Sequence, residues 1–151
     1  MTDRNAPQPQ GQYVPAKRHG DLIFVSGMTS RENGKLLYMG QVELDTPVET
    51  YRIAVELAAE NALTAAKSQL IAGEQMAVLS LTVYVNAPVG YTLHSRIADL
   101  ASRFMKEHTG GEVSSRAAIG VSSLPGDATF EVSIVAAADR YSPLLVGVQV
   151  S

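Results

Sequence analysis

Apolar positions recur along this chain with two different periods. Leu22 to Ser26 is a short apolar run that closes on Gly27, the pattern of a buried strand. Leu79, Leu81, Val83 and Val85 alternate with Ser80, Thr82 and Tyr84, so a second strand is predicted there. Between the two, Val48, Tyr51, Val55, Ala58, Ala59, Ala62, Ala66 and Leu70 return at helical spacing. Asp45-Thr46-Pro47-Val48-Glu49 predicts the start of that helix: an oxygen-bearing cap, proline in the first turn, and an acid near the positive end of the dipole. The helix is expected to run to about Ile71, stopping before Gly73. Its buried stripe is rich in alanine, which lets it lie close on a sheet. A second helix is predicted from about Tyr91 to His108, burying Leu93, Ile97, Leu100, Ala101 and Phe104 and stopped by Gly110 and Gly111. Arg31-Glu32-Asn33-Gly34 is a turn signal, with a short strand expected over Lys35 to Met39.

The segment Ser115 to Val132 reads as two strands joined by a tight turn at Pro125-Gly126-Asp127. Alternation puts Ala117, Ile119 and Val121 on one face of the first strand and Arg116, Ala118 and Gly120 on the other. In the second, Phe130, Val132, Ile134 and Ala136 share the apolar face, opposite Glu131 and Ser133. Arg116 and Glu131 are thus expected together, off the apolar face of one hairpin. An Arg that forks onto a carboxylate and a Glu that handles a proton, among small residues, suit a small anionic ligand. The order of elements predicts an α+β domain of two layers, with two helices on one face of a mixed sheet. Residues 1–11 read as a flexible lead and 12–140 as the domain. Residues 141–151 form an apolar tail, expected to pack on the domain, with a contact to a neighbouring subunit as the alternative.

Composition narrows the chemistry. At 151 residues, 46% of them hydrophobic and 18% charged, the chain suits one globular domain with a core. With no cysteine, disulfides, thiol catalysis and thiolate metal sites are excluded. A net charge of −3 and the lack of a Lys/Arg run argue against nucleic acid as a partner. The polar N-terminus lacks the apolar core of a signal peptide, and no segment is long enough to span a membrane, so a cytoplasmic protein is expected. His19, His94 and His108 are far apart and have no ligand spacing, so no metal site is expected. The serines form no nucleophile motif, and Gly110-Gly111 lacks the partners of a phosphate loop.

Two blocks carry a family resemblance. Arg116, then Leu124-Pro125, then Glu131 in a closing strand resembles the Rid family of reactive-intermediate deaminases, also called YjgF-like proteins. Tyr13-Val14-Pro15-Ala16 followed by Gly20 to Gly27 resembles that family's N-terminal Tyr and its strand ending in Ser-Gly. The similarity covers roughly Gln12 to Arg140. It implies a chorismate-mutase-like fold, a homotrimer with sites in the clefts between subunits, and hydrolysis of enamine or imine intermediates without metal or organic cofactor. By resemblance Arg116 grips the carboxylate of an imino or 2-oxo acid, Glu131 activates water, and Tyr13, Ser26, Gly27 and Ala118 line the ligand. The residues taken alone leave other readings open. Arg116 also fits a surface or interface Arg paired with an acidic neighbour, and Glu131 an exposed strand residue. The chain also departs from the usual pattern. Met28-Thr29-Ser30 replaces Gln-Ile-Pro, Ala118 replaces Cys, and the second helix has no Asn facing the site. A divergent branch is expected. The alternatives are a trimer of the same fold that binds small carboxylates without turnover and, less favoured by the acidic balance, an endoribonuclease or translation inhibitor.

Overall fold

A computed structural model describes Asn5 and residues 7–140. The expected tail over 141–151 therefore lies outside the described residues. The centre of the molecule is a long antiparallel pair, β6 (Glu74–Asn86) and β8 (Phe130–Arg140). On the far side of β8 lie β2 (Leu22–Val25) and β3 (Met28–Thr29), which pair with successive stretches of it, and β1 (Ala16–His19) lies outside β2. On the far side of β6, β7 (Ser115–Val121) runs parallel to it and forms the other edge. The order is β1-β2-β8-β6-β7, so the sheet is mixed. A separate hairpin joins β4 (Arg31–Glu32) to β5 (Lys35–Leu36). Its turn places Asn33 and Gly34 at φ 51° and 77°, the left-handed pair that the Asn-Gly signal predicts.

Helices α1 (Arg52–Lys67) and α2 (His94–His108) cover one face of the sheet. In α1, Ala58, Ala59, Ala62, Ala65 and Ala66 are fully buried beside Val55 and Leu63, so small side chains make up most of its buried surface. From the sheet, Val132, Ile134 and Ala136 of β8 and Leu81, Val83 and Val85 of β6 meet the helices.

Five local expectations are corrected. Asp45 does not cap the first helix: a 3₁₀ turn over Val48–Tyr51 leads into α1, with no side-chain cap. The helix also stops before Ile71, because Ser68 Oγ bonds back to the Ala65 carbonyl at 2.6 Å and Arg18 takes the Gln69 carbonyl at 3.0 Å. The run at Leu22 is a half-buried strand, with Ile23 and Val25 inward and Leu22 and Phe24 exposed. Leu79 is also exposed, since an irregularity between Val78 and Ser80 breaks the alternation of β6. Finally, β7 and β8 are not a hairpin. β6 lies between them and pairs with both, and the Pro125–Asp127 turn carries the chain past the end of β6.

Candidate functional site

The site grows from a break in a strand. β2 and β3 both pair with β8, but Ser26 and Gly27 interrupt them. The Ser26 N–H bonds the Pro15 carbonyl at 2.9 Å, and its hydroxyl donates to the Val14 carbonyl at 2.6 Å. The break is thereby tied to the N-terminal segment carrying Tyr13. The Tyr13 hydroxyl accepts from the Gln10 backbone N–H at 3.0 Å, which fixes the ring at the edge of the site. Ser133 Oγ donates to the Val25 carbonyl at 3.1 Å and holds the interrupted strand against β8.

Glu131 lies across from Thr29 of β3 and Tyr84 of β6, on the sheet face without helices. Its carboxyl fills the space left by Gly27, where a Cβ would meet Glu131 Cδ and Oε2 at 2.6 Å. Glycine is needed here for a close approach, not for a special backbone angle. Tyr13, Ser26, Gly27, Thr29, Arg31 and Glu131 contribute to the lining of one cavity of about 570 Å³, which Pro125 and Gly126 also border. Burial pushes the Glu131 carboxyl above the usual carboxylate range. A raised carboxyl holds its proton more readily than a solvated one, which suits a group that takes and returns a proton.

Arg116 is elsewhere. Its β6 neighbour is the buried Leu81, so it points to the helix side of the sheet, not to the face of Glu131. There Nη1 pairs with Asp99 Oδ1 at 2.7 Å and Ser102 Oγ at 3.1 Å, while Nη2 donates to Ser95 Oγ at 2.9 Å. Ala118, beside Val83, packs against the core. The expected faces of β7 are therefore inverted. Ala118 and Gly120 are small enough for α2 to come down on that edge, and a side chain at Gly120 would run into His94. Within one chain the structure brings Tyr13, Ser26, Gly27 and Glu131 together and leaves Arg116 and Ala118 on the opposite face.

Sequence reasoning missed Arg31, Thr29 and Gln10, which line the Glu131 cavity. Parity was the available signal: Thr29 and Arg31 are two apart and share a face in an extended segment. Among the described residues no group of His, Cys, Asp and Glu is arranged to hold a metal ion, and no helix is long and apolar enough to cross a membrane.

Two helices packed on one face of a mixed sheet are the architecture of the YjgF-like proteins with the chorismate-mutase-like fold. A family model described as Endoribonuclease L-PSP matches residues 3–138, and the chain belongs to that family, within the YjgF/Rid superfamily. Among solved structures, the protein Atu1372 of Agrobacterium tumefaciens, of unknown function, is 30% identical with a TM-score of 0.74, over 85% of this chain and 82% of that one. A Shewanella oneidensis protein provisionally called an endoribonuclease is 24% identical with a TM-score of 0.80, over 91% and 92% of the two chains. TdcF of E. coli, solved with bound serine, is 21% identical with a TM-score of 0.62, over 88% and 93%. No curated protein matches the chain.

Proposed function

We propose that this protein is a hydrolytic deaminase of reactive enamine and imine intermediates, working as a homotrimer. The observation that carries the reading is Glu131: a carboxyl pushed up by burial, seated over Gly27 in a cavity sized for a small metabolite. Water held by Glu131 adds to the imine carbon. The C–O bond forms as the C=N π pair moves to nitrogen, and Glu131 takes the water proton. The carbinolamine then collapses: the nitrogen, protonated by Glu131, leaves as ammonia, and the hydroxyl gives its proton back to the Glu131 carboxylate as the carbonyl forms. The balance is imine plus water to 2-oxo acid plus ammonia. An enamine enters by tautomerising to the imine. A protonated imine is already electrophilic, so positioning and charge stabilisation supply most of the rate.

Arg116 of a neighbouring copy holds the substrate carboxylate in this reading, released from Asp99 at the subunit boundary. It lies on the edge strand β7 with its guanidinium at the surface. Serine in TdcF is a small carboxylate-bearing ligand in a protein of this fold, which agrees in ligand class. A second reading, binding without turnover, is favoured by the ties of Arg116 to Asp99 and Ser95. Ammonia release from freshly generated imino acids separates the two. Glu131→Gln keeps size and hydrogen bonding but takes no proton, so turnover should fall roughly 10²–10⁴-fold with affinity for 2-oxo acids unchanged. A wild type that binds 2-oxo acids but hydrolyses imines no faster than buffer would leave the binding reading in place.

A further inference from the structure

The Glu131 cavity contains a cation that the reaction above does not use. Thr29 pairs across from Glu131, so its side chain lies on the open face. Ser30 turns the other way and donates its hydroxyl to the Ala54 carbonyl of α1 at 2.6 Å. Arg31 returns to the side of Thr29 and lines the cavity. Its backbone is pinned from below. Asn61, 2% exposed in α1, donates from Nδ2 to the Thr29 carbonyl at 2.9 Å and to the Arg31 carbonyl at 2.8 Å. The side chain is half-buried, and Nη1 donates to the Gly34 carbonyl at 2.9 Å. Among the described residues Arg31 has no carboxylate within the 4.0 Å of an ion pair, Glu131 included. Nε and Nη2 are left to fork onto an oxyanion. Acid and cation thus line one cavity without forming an ion pair with each other.

From this we infer that Arg31 anchors a second anionic group of the substrate, so that the protein selects dicarboxylic 2-imino acids over those with neutral side chains. The inference rests on the deaminase reading for the imine and for the first carboxylate. A second carboxylate gains charge-assisted bonds at Arg31, whereas an apolar chain end leaves a partly desolvated guanidinium with one carbonyl partner.

The test is calorimetry on the full chain in its native assembly, with 2-oxoglutarate and 2-oxopentanoate as probes. Both have five carbons, and they differ by a carboxylate in place of the terminal methyl. Wild type should bind 2-oxoglutarate tighter by roughly 10–100-fold, the range of one or two charge-assisted hydrogen bonds. Arg31→Gln should remove that preference and leave 2-oxopentanoate binding as it was. Arg31→Lys, which keeps charge and stem but not the fork, should restore part of it. Melting curves establish that each variant is folded. Equal wild-type affinity for the two probes, or failure to bind 2-oxoglutarate, overturns the inference. So does an Arg31→Gln protein that loses both probes alike, which would make Arg31 the anchor of the first carboxylate. A wild type that prefers 2-oxoglutarate yet releases no ammonia from the imine of glutamate keeps the Arg31 assignment and removes the deaminase reading. Hydrolysis with no preference between probes does the reverse.

Discussion

Glu131 sits where it does because Gly27 has no side chain. Gly27→Ala introduces a Cβ 2.6 Å from the carboxyl, so the carboxyl must swing away. The displaced group is the far end of a flexible side chain, and Gly27 is not among the residues with positive φ, so the fold should lose under about 1 kcal/mol. Turnover should fall on the order of 10²-fold, the usual consequence of moving a catalytic group by an ångström. Ammonia release alongside a melting curve checks this; an unchanged rate would mean that the chemistry does not depend on where this carboxyl sits. The same residue sets a pH dependence. Burial raises the folded-state pKa above the ordinary 4.5, so the fold binds the proton more tightly than the unfolded chain. Stability from this group is therefore complete below 4.5 and declines as pH rises through the raised value. Glu131→Gln removes that decline. The variant should melt higher than wild type at neutral pH, and the advantage should vanish in acid. A variant that melts lower at neutral pH would show that the ionised carboxylate is a net stabiliser.

At the scale of elements, one ion pair ties distant pieces together. Arg18 of β1 forks onto Glu74 at the start of β6, Nη1 to Oε2 at 2.6 Å and Nη2 to Oε1 at 2.8 Å. The Ile71 N–H adds a third bond at 2.9 Å, and the pair lowers the Glu74 pKa to about 2. A depressed carboxylate stabilises the fold above its ordinary 4.5, and that contribution is lost as pH falls toward 2. Stability should drop across this window, and Glu74→Gln should be weaker at neutral pH with a flatter acid limb; acid titration of the unfolding midpoint checks both. How far such elements were legible in the sequence followed from their range. α2 and the Asn33-Gly34 turn are written locally, in helical spacing and in residues that accept left-handed backbone, and both lie close to where the pattern puts them. The inward side of β8 was equally plain, because Phe130, Val132, Ile134 and Ala136 alternate without a break. The β7–β8 pairing was not legible, because Pro125-Gly126-Asp127 makes the same turn whether the strands pair directly or take a third between them. Choosing β6 as the shared partner is a non-local decision. Arg31 was hidden for a similar reason: its role depends on β3 joining β8, and Met28–Thr29 is too short a strand to announce itself.

For the whole molecule, the question is what covers the sheet face without helices. Leu22, Phe24 and Ile119 are exposed on it, with Phe24 at 47%, and the family resemblance implies a homotrimer. Large apolar side chains left exposed on the open face of a sheet point to a contact surface. Light scattering should therefore give three times the chain mass at micromolar concentration, and Phe24→Glu should shift it toward the monomer. If the cleft between copies is the active site, Arg116 of one chain serves Glu131 of the next. Arg116→Gln and Glu131→Gln trimers should each be inactive. Unfolding them together and refolding the mixture places an intact Arg116 beside an intact Glu131 at roughly one site in four, so about a quarter of wild-type activity should return. A site contained within one chain predicts no recovery at any mixing ratio. Monomers at micromolar concentration would remove the composite site outright, and with it the route by which Arg116, on the opposite face of its own sheet from Glu131, takes part in the chemistry.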